Sequence, residues 1–136
     1  GVADGVGIAP ATAQEDAEAL RWSFWTMTEL EKDALTLLMH RVAMPVEQRK
    51  PELADAAEKR LKQPLQVLES HLQAQQARGM AALAAERFTV ADVCVASVAH
   101  WLRGSEALMH QFPLLRVWLH AALKRPAYQV ARKLGV

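Results

Sequence analysis

The stretch "RFTVADVCVASVAHWL", residues 87–102, is apolar almost throughout after its first residues, yet Asp92 stands inside it. An unpaired carboxylate buried among apolar side chains costs several kcal/mol, on the order of a small domain's whole stability. Asp92 therefore needs a local partner or a chemical task. Thr89 supplies the partner. As the N-cap of a helix it puts Asp92 at the third helical position, where each side chain reaches the other residue's otherwise unpaired backbone N–H. The carboxylate also lies at the positive end of the helix dipole. Phe88 before the cap and Val93 at the fourth position have the spacing of a hydrophobic staple. Phe88, Thr89, Asp92 and Val93 thus read as a structural capping box and staple. The apolar residues that follow predict a helix buried centrally among others.

Upstream, the spacing predicts a long amphipathic helix from Thr12 to Ala43, with Thr12 as N-cap, Glu15 as its capping partner and Pro45 just past the end. Leu20, Phe24, Met27, Leu30, Ala34 and Leu38 recur at steps of three and four and predict the core-facing stripe. A second helix is predicted from Pro51 to Ala77, with Leu53, Ala57, Leu61, Leu65, Leu68 and Leu72 as its stripe. Pro64 lies inside it and should kink it near residues 60–63. Downstream, "SEALMHQF" suggests a short helix, and Pro113 and Pro126 each look like the first residue of another. Nowhere does an alternating apolar and polar run suggest a strand. The expectation is an all-α helical bundle of five or six helices.

At 136 residues the chain suits one domain, read as residues 12–136, with residues 1–11, "GVADGVGIAPA", expected to be a linker or remnant. Sixteen Lys and Arg against fifteen Asp and Glu leave a formal charge of +1, both signs interspersed, so no nucleic-acid footprint follows. The longest apolar stretch, Val93 to Leu102, is too short to span a membrane. One cysteine, Cys94, excludes an internal disulfide and suits the cytoplasm.

Metal chemistry finds little support, because no two of the five histidines lie three or four residues apart on a helix and nothing resembles HExxH. Ser97, His100 and Asp92 cannot form a triad, since eight helical residues, about 12 Å of rise, separate Asp92 from His100. Cys94 is expected to be hidden and to serve packing. Opposite the Leu20–Phe24–Met27 stripe stand Trp22, Trp25 and Glu29. Two tryptophans turned away from a core want another surface, so Trp22, Trp25 and Thr26 are the candidate residues for a hydrophobic substrate-binding wall or a subunit contact, the alternative being that the tryptophans pack against the second helix or the chain's own tail.

"RFTVADVCVAS" resembles the capping motif in the C-terminal helical domain of cytosolic glutathione transferases. "RWSFW", "PLQVLESHL" and "FPLLRVWLHAALKRPAYQVA" resemble the same domain in the same order, over about residues 12–134. Relatives usually carry a glycine two or three residues before the Phe-Thr, where this chain has Ala84 and Ala85. The resemblance implies a partner half: an N-terminal thioredoxin-like domain, missing from this sequence, that binds glutathione as co-substrate and supplies the catalytic residue. It also implies a homodimer, and a hydrophobic electrophile held against the helical domain. This chain would then carry no catalytic residue and no cofactor of its own. An alternative from another class is a non-catalytic helical protein-interaction module of the same fold. A stand-alone ligand-binding bundle is a third.

Overall fold

Thr12 begins the fold as its first cap. Its hydroxyl accepts the Glu15 N–H at 3.1 Å, while its own backbone is extended. The computed structural model describes residues 12–80, 82–83 and 88–125. The expected linker, the turn at Ala84 and Ala85, and the helix expected from Pro126 lie outside these residues.

Helix α1 occupies residues 13–43 as four consecutive segments. Ala13–Trp25 and Glu31–Leu38 are α-helical, and Thr26–Leu30 and Met39–Ala43 are π-helical. It ends where Met44 turns extended before Pro45, and Arg49 reaches back to the Val42 and Met44 carbonyls at 2.9 and 2.7 Å. Helix α2, Pro51–Ala77, starts on proline, whose missing N–H costs nothing at that position. It runs without a break through Pro64 and stops at Gly79. The Gly79 N–H bonds to the Gln76 carbonyl and the Met80 N–H to that of Gln75, a paired closure that needs a left-handed residue. Gly79 provides it with φ at +76°.

Helix α3, Val90–Ala99, continues into a 3-10 turn at His100–Gly104. Short α4, Glu106–His110, and α5, Pro113–Leu123, complete an all-α bundle, with no strand among the described residues. Glu31–Leu38 packs along α2, Ala13–Trp25 packs against α3, and α5 closes over both α2 and α3. Leu61, Leu65 and Leu68 from α2, Val95 and Ala96 from α3, and Leu115 from α5 are fully buried together. Each such leucine contributes about 1.5–3 kcal/mol through burial.

Three sequence expectations change. Leu53 is exposed, and Ala54 takes its place in the α2 stripe beside Ala57. Helix α3 is not buried all round: Val90, Cys94 and Ser97, at steps of four and three, form an outward strip, so Cys94 is half-buried. The third change is the face of α1.

Buried on α1 are Ala19, Trp22, Thr26, Leu30, Ala34 and Leu37, whereas Leu20, Phe24 and Met27 are 56, 62 and 62 % exposed. The expected stripe is correct from Leu30 onward and inverted before it. A π turn closes i→i+5 bonds and holds one residue more than an α turn. Going back from Leu30 through this turn, the core face runs through Thr26, Trp22 and Ala19, steps of four, four and three that keep helical spacing, and Met27, Phe24 and Leu20 lie on the face beside it. The Thr26 hydroxyl donates to the Trp22 carbonyl at 2.8 Å and the Thr28 hydroxyl to that of Phe24 at 2.8 Å, side-chain bonds of a kind that bends helices.

Candidate functional site

Thr89 and Asp92 close on each other at the start of α3. The Thr89 hydroxyl accepts the Ala91 N–H at 3.3 Å, and Asp92 Oδ2 accepts the Thr89 N–H at 2.9 Å. Phe88 and Val93 are both buried in the same core. The carboxylate does more than cap. Its Oδ1 accepts the Leu83 N–H at 2.8 Å and the Trp118 indole N–H at 2.9 Å. One fully buried side chain thereby ties together α3, α5 and the segment after α2. Burial pushes the Asp92 carboxyl above its ordinary value, against the lowering pull of the bonds from Thr89, Trp118 and Leu83.

The Leu83 strap has a second anchor. The ring of His71 on α2 contacts the Leu83 carbonyl through Nε2, and Gln75 donates to the Ala82 carbonyl at 3.0 Å. His71 in turn lies against Trp22, ring centroids 4.7 Å apart, and Trp22 meets Trp25 edge to face at 5.3 Å. Trp22 and Thr26 are each 1 % exposed and Trp25 is half-buried. The two tryptophans expected on an outer face therefore turn inward, Trp22 completely. The outer face is instead Leu20, Phe24 and Met27, continued by Leu35, Met39 and Val42. The Trp22 indole N–H is buried without a hydrogen-bond partner among the described residues, a cost of about 1–3 kcal/mol that the surrounding packing offsets.

Two further carboxylates hold helices from a distance. Glu69 on α2 is buried and accepts the Leu114 and Leu115 N–H groups at 3.0 and 2.8 Å, capping α5 where its own N-cap, Phe112, cannot. Sequence reasoning passed over Glu69. The signal was its register: it stands four residues after Leu65 and three before Leu72, on the stripe itself. Glu58 accepts from the Ser105 hydroxyl and from Arg41, both at 2.5 Å, and Ser105 caps α4 through the Leu108 N–H at 3.1 Å. The Ser105 bond, and after it Arg41, hold the Glu58 carboxyl below its usual range despite partial burial. Burial works against the Arg41 charge, but Glu58 and Asp55 outweigh it and raise its pKa. These groups fasten helices and leave no paired acid and base in a cleft. Among the described residues no cluster of His, Cys, Asp or Glu is arranged to hold a metal ion.

Comparison with known proteins agrees with this architecture. Residues 51–121 match the family model described as glutathione S-transferase, C-terminal domain. Among solved structures, glutathione S-transferase III in its apo form is 28 % identical, with a TM-score of 0.72 over 90 % of this chain and 56 % of its own. A possible glutathione S-transferase from Rhodopseudomonas palustris is 24 % identical, TM-score 0.73, over 89 % of this chain and 53 % of its own. A glutathione transferase from Burkholderia graminis, solved with two glutathione molecules bound per subunit, is 21 % identical, TM-score 0.70, over 92 % and 52 %. The chain thus spans a little over half the length of the structures it matches. No curated protein matches at the same stringency.

Proposed function

The chain belongs to the glutathione S-transferase family as its C-terminal helical domain, and from that premise we propose that it is the helical half of a glutathione-conjugating enzyme. Residues 12–136 would form this half, with residues 1–11 leading in from the other. A thioredoxin-like half would hold glutathione as co-substrate and carry the catalytic residue, and the helical half would hold the hydrophobic electrophile. The Burkholderia graminis relative, solved with glutathione bound, supports the co-substrate. A soluble, cytoplasmic setting fits a chain in which no described helix is long and apolar enough to cross a membrane.

The observation that carries the reading is α1. One side is the Trp22–Trp25–Thr26 group, with Trp22 and Thr26 fixed in the core and half-buried Trp25 left at its edge. Trp25 is the residue we assign to touch the electrophile. Trp22 and Thr26 back it from behind, so their part is shape and apolar contact, not bond making. The other side is the stripe Leu20, Phe24 and Met27, apolar and uncovered, which we assign to the second subunit of a homodimer.

The test uses the full-length protein. Conjugation of glutathione to an apolar aromatic electrophile is expected. Trp25→Ala should raise the KM for the electrophile several-fold and leave that for glutathione unchanged. Phe24→Asp should convert the sedimenting dimer to monomer. A full-length protein that conjugates nothing and instead retains other proteins through this domain would replace the enzyme reading with an interaction module.

A further inference from the structure

We propose that His71 is a positioning residue for the electrophile site: held by the Leu83 carbonyl, its ring sets the angle of Trp22 and, through it, that of Trp25. The inference rests on the reading in which Trp25 touches the electrophile. His71 stands half-buried on α2, against Trp22 of α1. Its Nε2 contacts the Leu83 carbonyl, and because a carbonyl oxygen only accepts, that nitrogen carries the proton. Leu83 is not free to follow the ring. Asp92 Oδ1 accepts its N–H at 2.8 Å, and Gln75 donates to the Ala82 carbonyl at 3.0 Å. The imidazole is therefore fixed at one edge by backbone that is itself tied to α2 and α3.

Trp22 is what that fixed ring acts on, and Trp118 supplies the contrast. The Trp118 indole N–H donates to Asp92 at 2.9 Å, so a hydrogen bond sets the direction of that ring. Trp22 is also buried, but its N–H has no hydrogen-bond partner among the described residues. Its direction is left to the groups packed on it. His71 lies 4.7 Å away between ring centroids, tilted by 52°, and Trp25 lies at 5.3 Å and 74°. The Arg21 guanidinium is 5.2 Å from the Trp22 centroid, but its side chain is 61 % exposed and constrains the ring little. Edge-to-face pairing depends on angle, so a turn of Trp22 changes the edge that meets Trp25. Support passes from Asp92 to Leu83, His71, Trp22 and last Trp25. A binding wall works only while its members are held in place from behind, and His71 is the link that reaches it from α2.

The experiment uses the full-length protein labelled with 5-fluorotryptophan, the Trp22 and Trp25 fluorine signals being identified by their loss in Trp22→Phe and Trp25→Phe. His71→Gln keeps a donor for the Leu83 carbonyl and removes the ring; His71→Phe keeps a ring and removes the donor. In both, the Trp22 and Trp25 signals should shift or broaden while that of Trp101 stays. The KM for an apolar aromatic electrophile should rise several-fold, with kcat and the KM for glutathione unchanged. Native fluorine signals in either variant would overturn the inference, and so would a loss shared by kcat and both KM values, the mark of general loosening. An electrophile KM that stays native in both variants while Trp25→Ala raises it would overturn it too. The reading of Trp25 is judged apart: if Trp25→Ala leaves the electrophile KM unchanged, that reading fails, and the fluorine signals still decide whether His71 sets Trp25.

Discussion

The start of α3 and the middle of α1 were read from the same kind of signal, residue spacing on a helix, and they came out differently. At α3 the spacing spans one turn. Thr89 and Asp92 are three residues apart, and the distance between them is fixed by local backbone geometry whatever happens elsewhere. On α1 the spacing was extended over five turns. The buried residues Ala19, Trp22, Thr26, Leu30, Ala34 and Leu37 keep helical spacing across the π segment at Thr26–Leu30, and the apolar Leu20, Phe24 and Met27 fall on the neighbouring, exposed face. Periodicity finds a helix and its apolar faces, and where there are two such faces it does not say which one the rest of the fold covers.

The comparison is most sharply tested by removing one buried group from each region. Asp92→Ala leaves three buried N–H groups without an acceptor, those of Leu83, Thr89 and Trp118, and should cost about 3–5 kcal/mol in urea unfolding. That exceeds the roughly 1 kcal/mol of a lost cap alone. Trp22→Ala should cost a similar amount, about 3–5 kcal/mol, by emptying a core site. A loss near 1 kcal/mol for Asp92→Ala would reduce the residue to a cap. A near-neutral Trp22→Ala would restore the face on which the tryptophans point outward.

Next in size is Glu69. Glu69→Ala removes the acceptor for two N–H groups of the first turn of α5 and should cost about 2–3 kcal/mol, with amide exchange of Leu114 and Leu115 speeding up more than that of α3. Uniform acceleration across both helices would mean that Glu69 serves general packing instead. This cap marks where sequence reading stops. A bond between residues 45 positions apart has no local spacing to betray it. Only the placement of a carboxylate on the Leu65–Leu72 face hinted that α2 carries something polar inward. The bundle, the capping box and the family were legible because each depends on contacts within a few residues. The Asp92 bonds to Leu83 and Trp118, the buried face of α1 and the contact of His71 with Trp22 were not, because they depend on how distant elements meet.

Asp92 and Glu58 should also differ in the sign of their pH dependence. Burial raises Asp92, so the folded chain holds that proton more tightly than the unfolded chain, whose value stays near 3.8. Stability from this group is therefore complete below that value and lost as pH rises through the folded one. Glu58 is lowered, chiefly by the Ser105 hydroxyl, and acts in reverse: its contribution is present above its unfolded value near 4.5 and lost as pH falls through the folded one. Unfolding midpoints of the wild type, Asp92→Asn and Glu58→Gln between pH 3 and 7 read this directly. The wild type's advantage over Asp92→Asn should shrink as pH rises, and its advantage over Glu58→Gln should grow. Two slopes of the same sign would mean that the hydrogen bonds to Asp92 outweigh its burial.

The smallest expected effect is the one that tests which face of α1 is buried. Phe24→Ser in the 136-residue chain replaces a large aromatic group that stands 62 % exposed two residues from Trp22, and it should change stability by no more than about 0.5 kcal/mol. Set beside Trp22→Ala, the pair makes a contrast in cost of about sixfold or more between neighbouring aromatic residues on one helix, and hydrophobicity alone predicts no such contrast. A cost of 2 kcal/mol or more would mean that another part of this chain covers Phe24, in which case the Leu20, Phe24 and Met27 face of α1 is not an outer one. A negligible cost means that folding of this domain does not require an apolar residue at position 24. The reason for Leu20, Phe24 and Met27 must then be sought in what the domain meets, and the dimer measurement on Phe24→Asp asks that question of the same residue.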